Sequence, residues 1–260
     1  PASCLETGLA HLRKYLPPIF AQFDETDTCR RGVVGPLAAA AIDGWAGASA
    51  TEGMEPLESR PLNVEGKDAL LARREVIEGP GFDLYVSAED REDVHSGLLD
   101  SVLELGGREV GPEAWEVLRV ERGIPVFGRD FSEENLAQET AQDARAISFD
   151  KGCYTGQEVV ARIHFRGHVN RILRGCRLVD PSADPSGGPT LAAGRPLFEG
   201  DRERGVITSP VDSPRFGHIA LGLARTEIEP GRRLALEPSG DEVVEIMELP
   251  FDPVIGSDPA

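Results

Sequence analysis

Leu5, Leu9, Leu12 and Leu16 recur at helical spacing, and Pro17-Pro18 stops the helix they predict. Ile19 to Phe23 reads as a strand ahead of the acidic loop Asp24-Glu25-Thr26-Asp27. Val33-Val34, then Gly35-Pro36 and an alanine run, predict strand, turn and short helix, with Pro36 at the first helical position. Gly44 to Glu58 is rich in Gly, Ala and Ser and reads as loop. Leu70 to Ile77, Glu78-Gly79-Pro80-Gly81 and Phe82 to Ser87 form a hairpin pattern. Ser87 is placed to cap a helix running to Leu105, with Leu98, Leu99, Val102 and Leu103 on its buried side and Gly106-Gly107 ending it. Gly111-Pro112-Glu113 opens another helix through Trp115 and Leu118. Hairpins mixed with helices make an α+β pattern rather than a regular βαβ alternation.

Beyond residue 171 the periodicity shortens. Ile172 to Val179 is strand-like, and Asp180 to Gly194 is a turn region rich in Pro, Gly, Ser and Ala. Short strands are expected at Pro196–Glu199, Gly205–Thr208, Ile219–Ala224, Arg233–Leu236 and Val243–Met247, a small barrel or sandwich. The expected division is residues 1–170 and 171–260.

Composition narrows the class. With 260 residues, 40% of them hydrophobic, the chain can bury a proper core, and its Leu, Val and Ile content argues against disorder. No apolar run approaches the roughly 20 residues that span a bilayer. Cys4, Cys29, Cys153 and Cys176 are scattered without a C-x-x-C pair. That argues against a metal or iron–sulfur site built by this chain alone and fits a reducing, cytoplasmic setting. The net charge of −18 disfavours direct nucleic-acid or acidic-membrane binding. Within it lies a positive island: Lys151, Arg162, Arg166, Arg171, Arg174 and Arg177 face one acid, Glu158. Either these arginines pair with surface carboxylates, worth on the order of 0–1 kcal/mol each, or they serve a small anionic ligand.

The same stretch carries the candidate chemistry. Cys153 is either a packing residue or a thiol whose pKa, about 8.5 when free, is lowered by Lys151 and a cationic surround. Gly152 and Gly156 bracket Tyr154, so the backbone can turn tightly before a helix starting near Gln157. Tyr154 could stack on a flat heterocycle or cover the core. His164 and His168 are four apart, but Gly167 weakens a helix between them and no third ligand is near, so no metal site is expected.

The run Lys151-Gly152-Cys153-Tyr154-Thr155-Gly156-Gln157-Glu158, with the basic tail Gly167-His168-Val169-Asn170-Arg171, resembles the signature of the YgfZ-type folate-binding proteins. These are relatives of the glycine-cleavage aminomethyltransferase. Leu118-Arg119-Val120-Glu121-Arg122-Gly123-Ile124-Pro125, Gly128-Arg129-Asp130, Gly194-Arg195-Pro196-Leu197 and Gly205-Val206-Ile207-Thr208-Ser209 also look like the family. Family members ordinarily begin with a further N-terminal segment. Leu12-Arg13-Lys14-Tyr15-Leu16 looks like a point inside the family's first domain, so the chain reads as a fragment of it.

The resemblance implies part of a GcvT-like α+β folate-binding domain followed by a C-terminal β-barrel. It implies tetrahydrofolate, or another reduced folate, as cofactor, and iron–sulfur assembly or client proteins as partners. The implied role is accessory: support of iron–sulfur cluster assembly or repair, and through it of tRNA-modifying enzymes. The rival is a folate-dependent aminomethyltransferase or demethylase. By the resemblance Cys153 is functional and Glu121 contacts the pterin, since a carboxylate can accept from its amino group and ring nitrogen. Arg119, Lys151, Gly152, Tyr154, Gly156 and Gln157 are expected around the cofactor. Arg162 or Arg171 is expected to meet the glutamate tail, where paired N–H donors favour Arg over Lys.

Overall fold

The computed structural model describes residues 5–16, 26–74, 80–154, 156–179 and 189–251, with backbone alone at 145 and 166. The expected strand at 19–23 and the turn at 78–79 lie outside the described residues, as does Cys4. Helix α1 (Leu5–Tyr15) forms where the leucine spacing places it and has no buried residue. Contacts group the chain into two compact units, residues 13–114 and residues 1–12 with 115–260.

The first unit is an antiparallel sheet backed by two helices. Its strands are β1 (Thr28–Val34), β2 (Ser59–Val64), β3 (Lys67–Arg74) and β4 (Gly81–Ser87), in the spatial order β1-β4-β3-β2. Helices α2 (Ala38–Ala46) and α3 (Arg91–Glu104) pack on one face. Ile42 and Leu98 from the helices meet Leu71, Phe82, Leu84 and Val86 from alternate strand positions, one contiguous core. The predicted hairpin is present, pairing Leu70 with Tyr85. Ser87 accepts from the Asp90 amide ahead of α3, and the Gly106 and Gly107 amides close its far end on Leu103 and Val102.

Three local readings need correction. α2 begins at Ala38, so Pro36 precedes it by two residues instead of opening it. Leu103 is 53% exposed, because the buried stripe of α3 runs through Val94 and Leu98 and leaves Leu103 round the far side. Strand β2 was not foreseen. It pairs with β3 through a two-residue turn in which Glu65 (φ 53°) and Gly66 (φ 83°) are both left-handed, the geometry that suits a tight hairpin.

The second unit holds α4 (Pro112–Glu121, its first three residues counted with the first unit), a 3₁₀ turn (Ala137–Thr140), α5 (Asp143–Ala146) and α6 (Gln157–Arg166). Six strands follow: β5 (Arg171–Leu178), β6 (Pro196–Glu199), β7 (Arg202–Ser213), β8 (Gly217–Arg225), β9 (Arg233–Leu234) and β10 (Val244–Met247). Their order is β6-β7-β8-β5-β10-β9. Phe198 and Ala235 exchange two backbone hydrogen bonds of 2.8 Å, joining the first strand to the segment after β9. The sheet is thereby nearly closed into a small barrel, and the chain is α+β as its pattern implied.

The barrel has apolar groups on both of its surfaces. Cys176, Leu178, Leu197, Ile207, Ala220, Leu234 and Ile246 cluster on one. Leu173, Ile219, Leu221 and Leu223 point the other way and pack with Val120 of α4 and Phe251. Strand β8 is therefore buried on both faces between its ends. Each such Leu or Ile withdrawn from water is worth about 1.5–3 kcal/mol, and Val120 adds an apolar tie between α4 and the barrel beside the polar ones. The expected division at 170/171 falls inside this unit, at the start of β5.

Candidate functional site

The end of α4 turns two charged side chains toward the barrel. Arg119 is 1% exposed and all five of its N–H donors are engaged. Its Nε bonds to both carboxylate oxygens of Glu116. Nη1 donates to the Ile124 carbonyl and to Asp130, at 3.0 and 2.9 Å. Nη2 donates to Ser209 on β7 and pairs with Glu116. Asp130 is equally saturated. Its Oδ1 accepts from Thr208 and Ser209, and its Oδ2 from Arg119 and the Val126 amide. Arg119, expected at the cofactor, instead spends its donors inside the protein, tying helix, loop and strand together.

Glu116 stands at the rim of this network. Partial burial alone would raise its pKa, but hydrogen bonds and charge from Arg119, joined by Arg129, hold it below the usual carboxylate range. The stability it lends is therefore present above the ordinary carboxylate pKa and is lost as pH falls through the depressed value.

Two residues beyond Arg119 on α4, Glu121 is 5% exposed. Ser213, at the end of β7, donates a 2.6 Å hydrogen bond to its Oε1. The same hydroxyl accepts from the Arg215 and Phe216 amides, both at 3.0 Å. The Arg215 guanidinium lies 4.0 Å from Glu121 Oε2 and over the Phe216 ring at 5.1 Å. Glu121 is thus a buried carboxylate clamped through one oxygen by the β7–β8 hairpin.

The cysteine-bearing turn is built differently. Lys151, Gly152, Cys153 and Tyr154 are all exposed. The Lys151 Nζ sits 5.1 Å from the centre of the Tyr154 ring, a cation–π contact. The Gln157 amide donates to the Tyr154 carbonyl. Gly156 precedes α6 at φ 90°, a backbone that a side chain would strain. Gly152 has no left-handed φ and open space around it, so the tight turn depends on Gly156. Thr155 lies outside the described residues.

Helix α6 is anchored by Gln138, whose amide donates to the Val160 carbonyl. Arg171, at the start of β5, lies 3.8 Å from the buried Glu139 of the same 3₁₀ turn. Arg162 is exposed on α6. His164 stacks on Phe149 at 3.9 Å, while His168 lies beyond the helix end, so the two do not share a helical face.

The described contacts gather the expected residues into two groups. Lys151, Tyr154 and Gln157 share one turn, and Arg119 and Glu121 share the end of α4. Sequence reasoning did not single out Ser213 and Arg215, which clamp Glu121. Nor did it give a role to Asp130 and Ser209, although both stood in segments that carried the family resemblance. Their isolated polar positions look ordinary in one dimension and acquire long-range partners when strand β7 meets α4 and the loop that follows it.

Residues 2–151 match the family described as GCVT N-terminal domain. An aminomethyltransferase of Saccharopolyspora erythraea is 34% identical over 192 residues, 72% of this chain and 50% of that protein. A tRNA-modifying protein YgfZ of Cronobacter sakazakii is 30% identical over 260 residues, 96% of this chain and 72% of that protein. The crystal structure of glycine cleavage system aminomethyltransferase T from Bartonella henselae shares the fold at a TM-score of 0.78 and 20% identity, over 96% of this chain and 67% of that one. The chain belongs to the GCVT-like superfamily, in its YgfZ-type branch. It spans about half the length of the curated aminomethyltransferases from Saccharopolyspora erythraea and Staphylococcus carnosus that it matches.

Proposed function

We propose that this chain binds a reduced folate such as tetrahydrofolate through Glu121 and acts as an accessory protein. In this reading it supports iron–sulfur cluster assembly or repair in client proteins of the cytoplasm, including enzymes that modify tRNA. The observation that carries the reading is the clamped carboxylate. A pterin offers an amino group and an adjacent ring N–H on one edge, and a carboxylate held in one orientation accepts both. Residues 1–170 would form the folate-binding part and 171–260 the barrel that steadies it. The exposed turn of Lys151, Gly152, Cys153, Tyr154, Gly156 and Gln157 presents a thiol beside a cation and an aromatic ring, suited to a ligand or to a client surface. Arg162 and Arg171 remain the candidates for the glutamate tail. Similarity to YgfZ along nearly the whole chain favours the accessory role.

A second reading, folate-dependent aminomethyl transfer, is favoured by the similarity to the Saccharopolyspora erythraea aminomethyltransferase. Transfer of a one-carbon unit from an amine donor to tetrahydrofolate by this chain would establish it.

Calorimetric titration with tetrahydrofolate tests the binding. Saturable uptake by the wild type that Glu121→Ala abolishes is the expected result. A wild type that takes up no heat of binding refutes the folate assignment.

A further inference from the structure

The β7–β8 hairpin does more than end a strand pair. Ser213, 6% exposed, is placed 92 residues from Glu121 in sequence, yet its hydroxyl proton is committed to that carboxylate. Its lone pairs are committed to the amides of Arg215 and Phe216. With both amides donating to the oxygen, the hydroxyl hydrogen has one direction left, toward Oε1. The hydroxyl therefore cannot turn away, and the position of Oε1 follows from the turn geometry. Each carboxylate oxygen has two acceptor sites, so one Ser213 bond leaves capacity on Oε1 and all of Oε2.

Arg215 occupies the other side. Its guanidinium is half exposed, stacks on Phe216, and stands 4.0 Å from Oε2. That distance is an ion pair without a hydrogen bond. A guanidinium and the donor edge of a 2-amino-pyrimidinone ring present the same pattern, two N–H groups side by side on one planar unit. Both compete for the same oxygens.

We propose that Ser213 and Arg215 act on Glu121 in opposite senses: Ser213 is a positioning residue that holds the carboxylate ready for a ligand, and Arg215 is an internal competitor that the ligand displaces. This rests on the folate reading and adds to it a device by which the barrel sets affinity. An arriving donor edge replaces a long ion pair with direct hydrogen bonds, while the Ser213 bond persists in both states.

The test is tetrahydrofolate titration of the wild type, Ser213→Ala, Ser213→Cys and Arg215→Gln, with thermal melting of each. Ser213→Ala is expected to weaken binding by up to about tenfold, the cost of having the ligand itself immobilise a side chain that Ser213 holds in advance. Ser213→Cys fills the space with a weak donor and is expected to fall between the two. Arg215→Gln is expected to tighten binding by roughly threefold, because an exposed ion pair is a weak competitor. Added guanidinium chloride, below denaturing concentration, should weaken wild-type binding more than an equal concentration of sodium chloride does. If Arg215→Gln weakens binding, Arg215 is a ligand contact and the competitor assignment is overturned. If Ser213→Ala melts like the wild type and binds as tightly, the positioning role is overturned while the folate reading stands. A wild type that binds no folate overturns both.

Discussion

Glu121 and Cys153, the two residues on which the proposed function leans most, are held in opposite ways. Around Glu121 the polar atoms are buried and paired: Ser213 clamps it, and two residues back along α4 Arg119 bonds to Asp130, Glu116, Ser209 and the Ile124 carbonyl. Around Cys153 four successive residues are exposed, and the firmest contact within them is a lysine over a tyrosine ring. The first region is rigid because leaving any of its groups unpaired would cost the full desolvation of a charge. The second carries little folding energy and can adapt to what meets it. A binding carboxylate benefits from the first arrangement, and a thiol that must be reached by another molecule benefits from the second.

The largest effect expected from breaking this contrast is at Asp130. Asp130→Ala strips the buried guanidinium of Arg119 of its fully buried counter-charge and should lower the stability of the unit by about 3–5 kcal/mol in urea unfolding. Asp130→Asn should be milder but still destabilising: it removes the charge opposite Arg119, and the obligate donors Arg119 and Val126 both lie on Oδ2, so the amide must turn its nitrogen to the Thr208 and Ser209 hydroxyls. An Asn variant as stable as the wild type would show that the network is not what secures α4.

Cys176 sharpens the comparison from the thiol side. Burial inside the barrel raises its pKa to about 12 from an ordinary 9.0. A thiol that ionises more easily unfolded than folded makes stability fall as pH rises, beginning at the unfolded pKa and ending at the folded one. Between pH 9 and 12 the expected slope is about 1.4 kcal/mol per pH unit, and Cys176→Ala should remove that component. Its reaction with iodoacetamide should require unfolding, whereas Cys153 should react in the native protein and more slowly when tetrahydrofolate is bound. Equal alkylation rates for the two would contradict their opposite burial.

The smallest expected effect on stability lies in the motif turn. Lys151→Ala and Tyr154→Ala should each change unfolding free energy by less than about 0.5 kcal/mol, as exposed substitutions usually do. A loss of several kcal/mol would mean that the turn is structural and that its sequence signature reflects folding.

Much of the fold could be read along the chain because its periods are short and its punctuation strong. Strand β6 (Pro196–Glu199) lies where its pattern placed it, and β10 begins within a residue of the expected start. Pro112 opens α4, and Gly106-Gly107 ends α3. β2 escaped notice because Ser59–Val64 includes a proline and only Val64 is fully buried. That gives weak alternation and no aromatic residue to mark it. For the site, what a motif can show is which residues to watch. It cannot show that Arg119 faces inward and Glu121, two positions away, toward the hairpin, because that depends on Ser209 and Ser213 arriving from a strand some ninety residues later. Both side chains reach β7, Arg119 at Ser209 and Glu121 at Ser213, so neighbours in a motif can meet different partners and need not share a task.

The apolar outer surface of the barrel bears on how this protein can be cut for study. A gene fragment starting at residue 171 would encode all six barrel strands but leave Leu173, Ile219, Leu221 and Leu223 without the Val120 side of α4. Such a product would carry a sticky patch of the kind that drives proteins into inclusion bodies. Starting upstream of Pro112 would keep Val120, the α4 residue that packs on this patch, together with the buried Arg119 and Glu121 beside it.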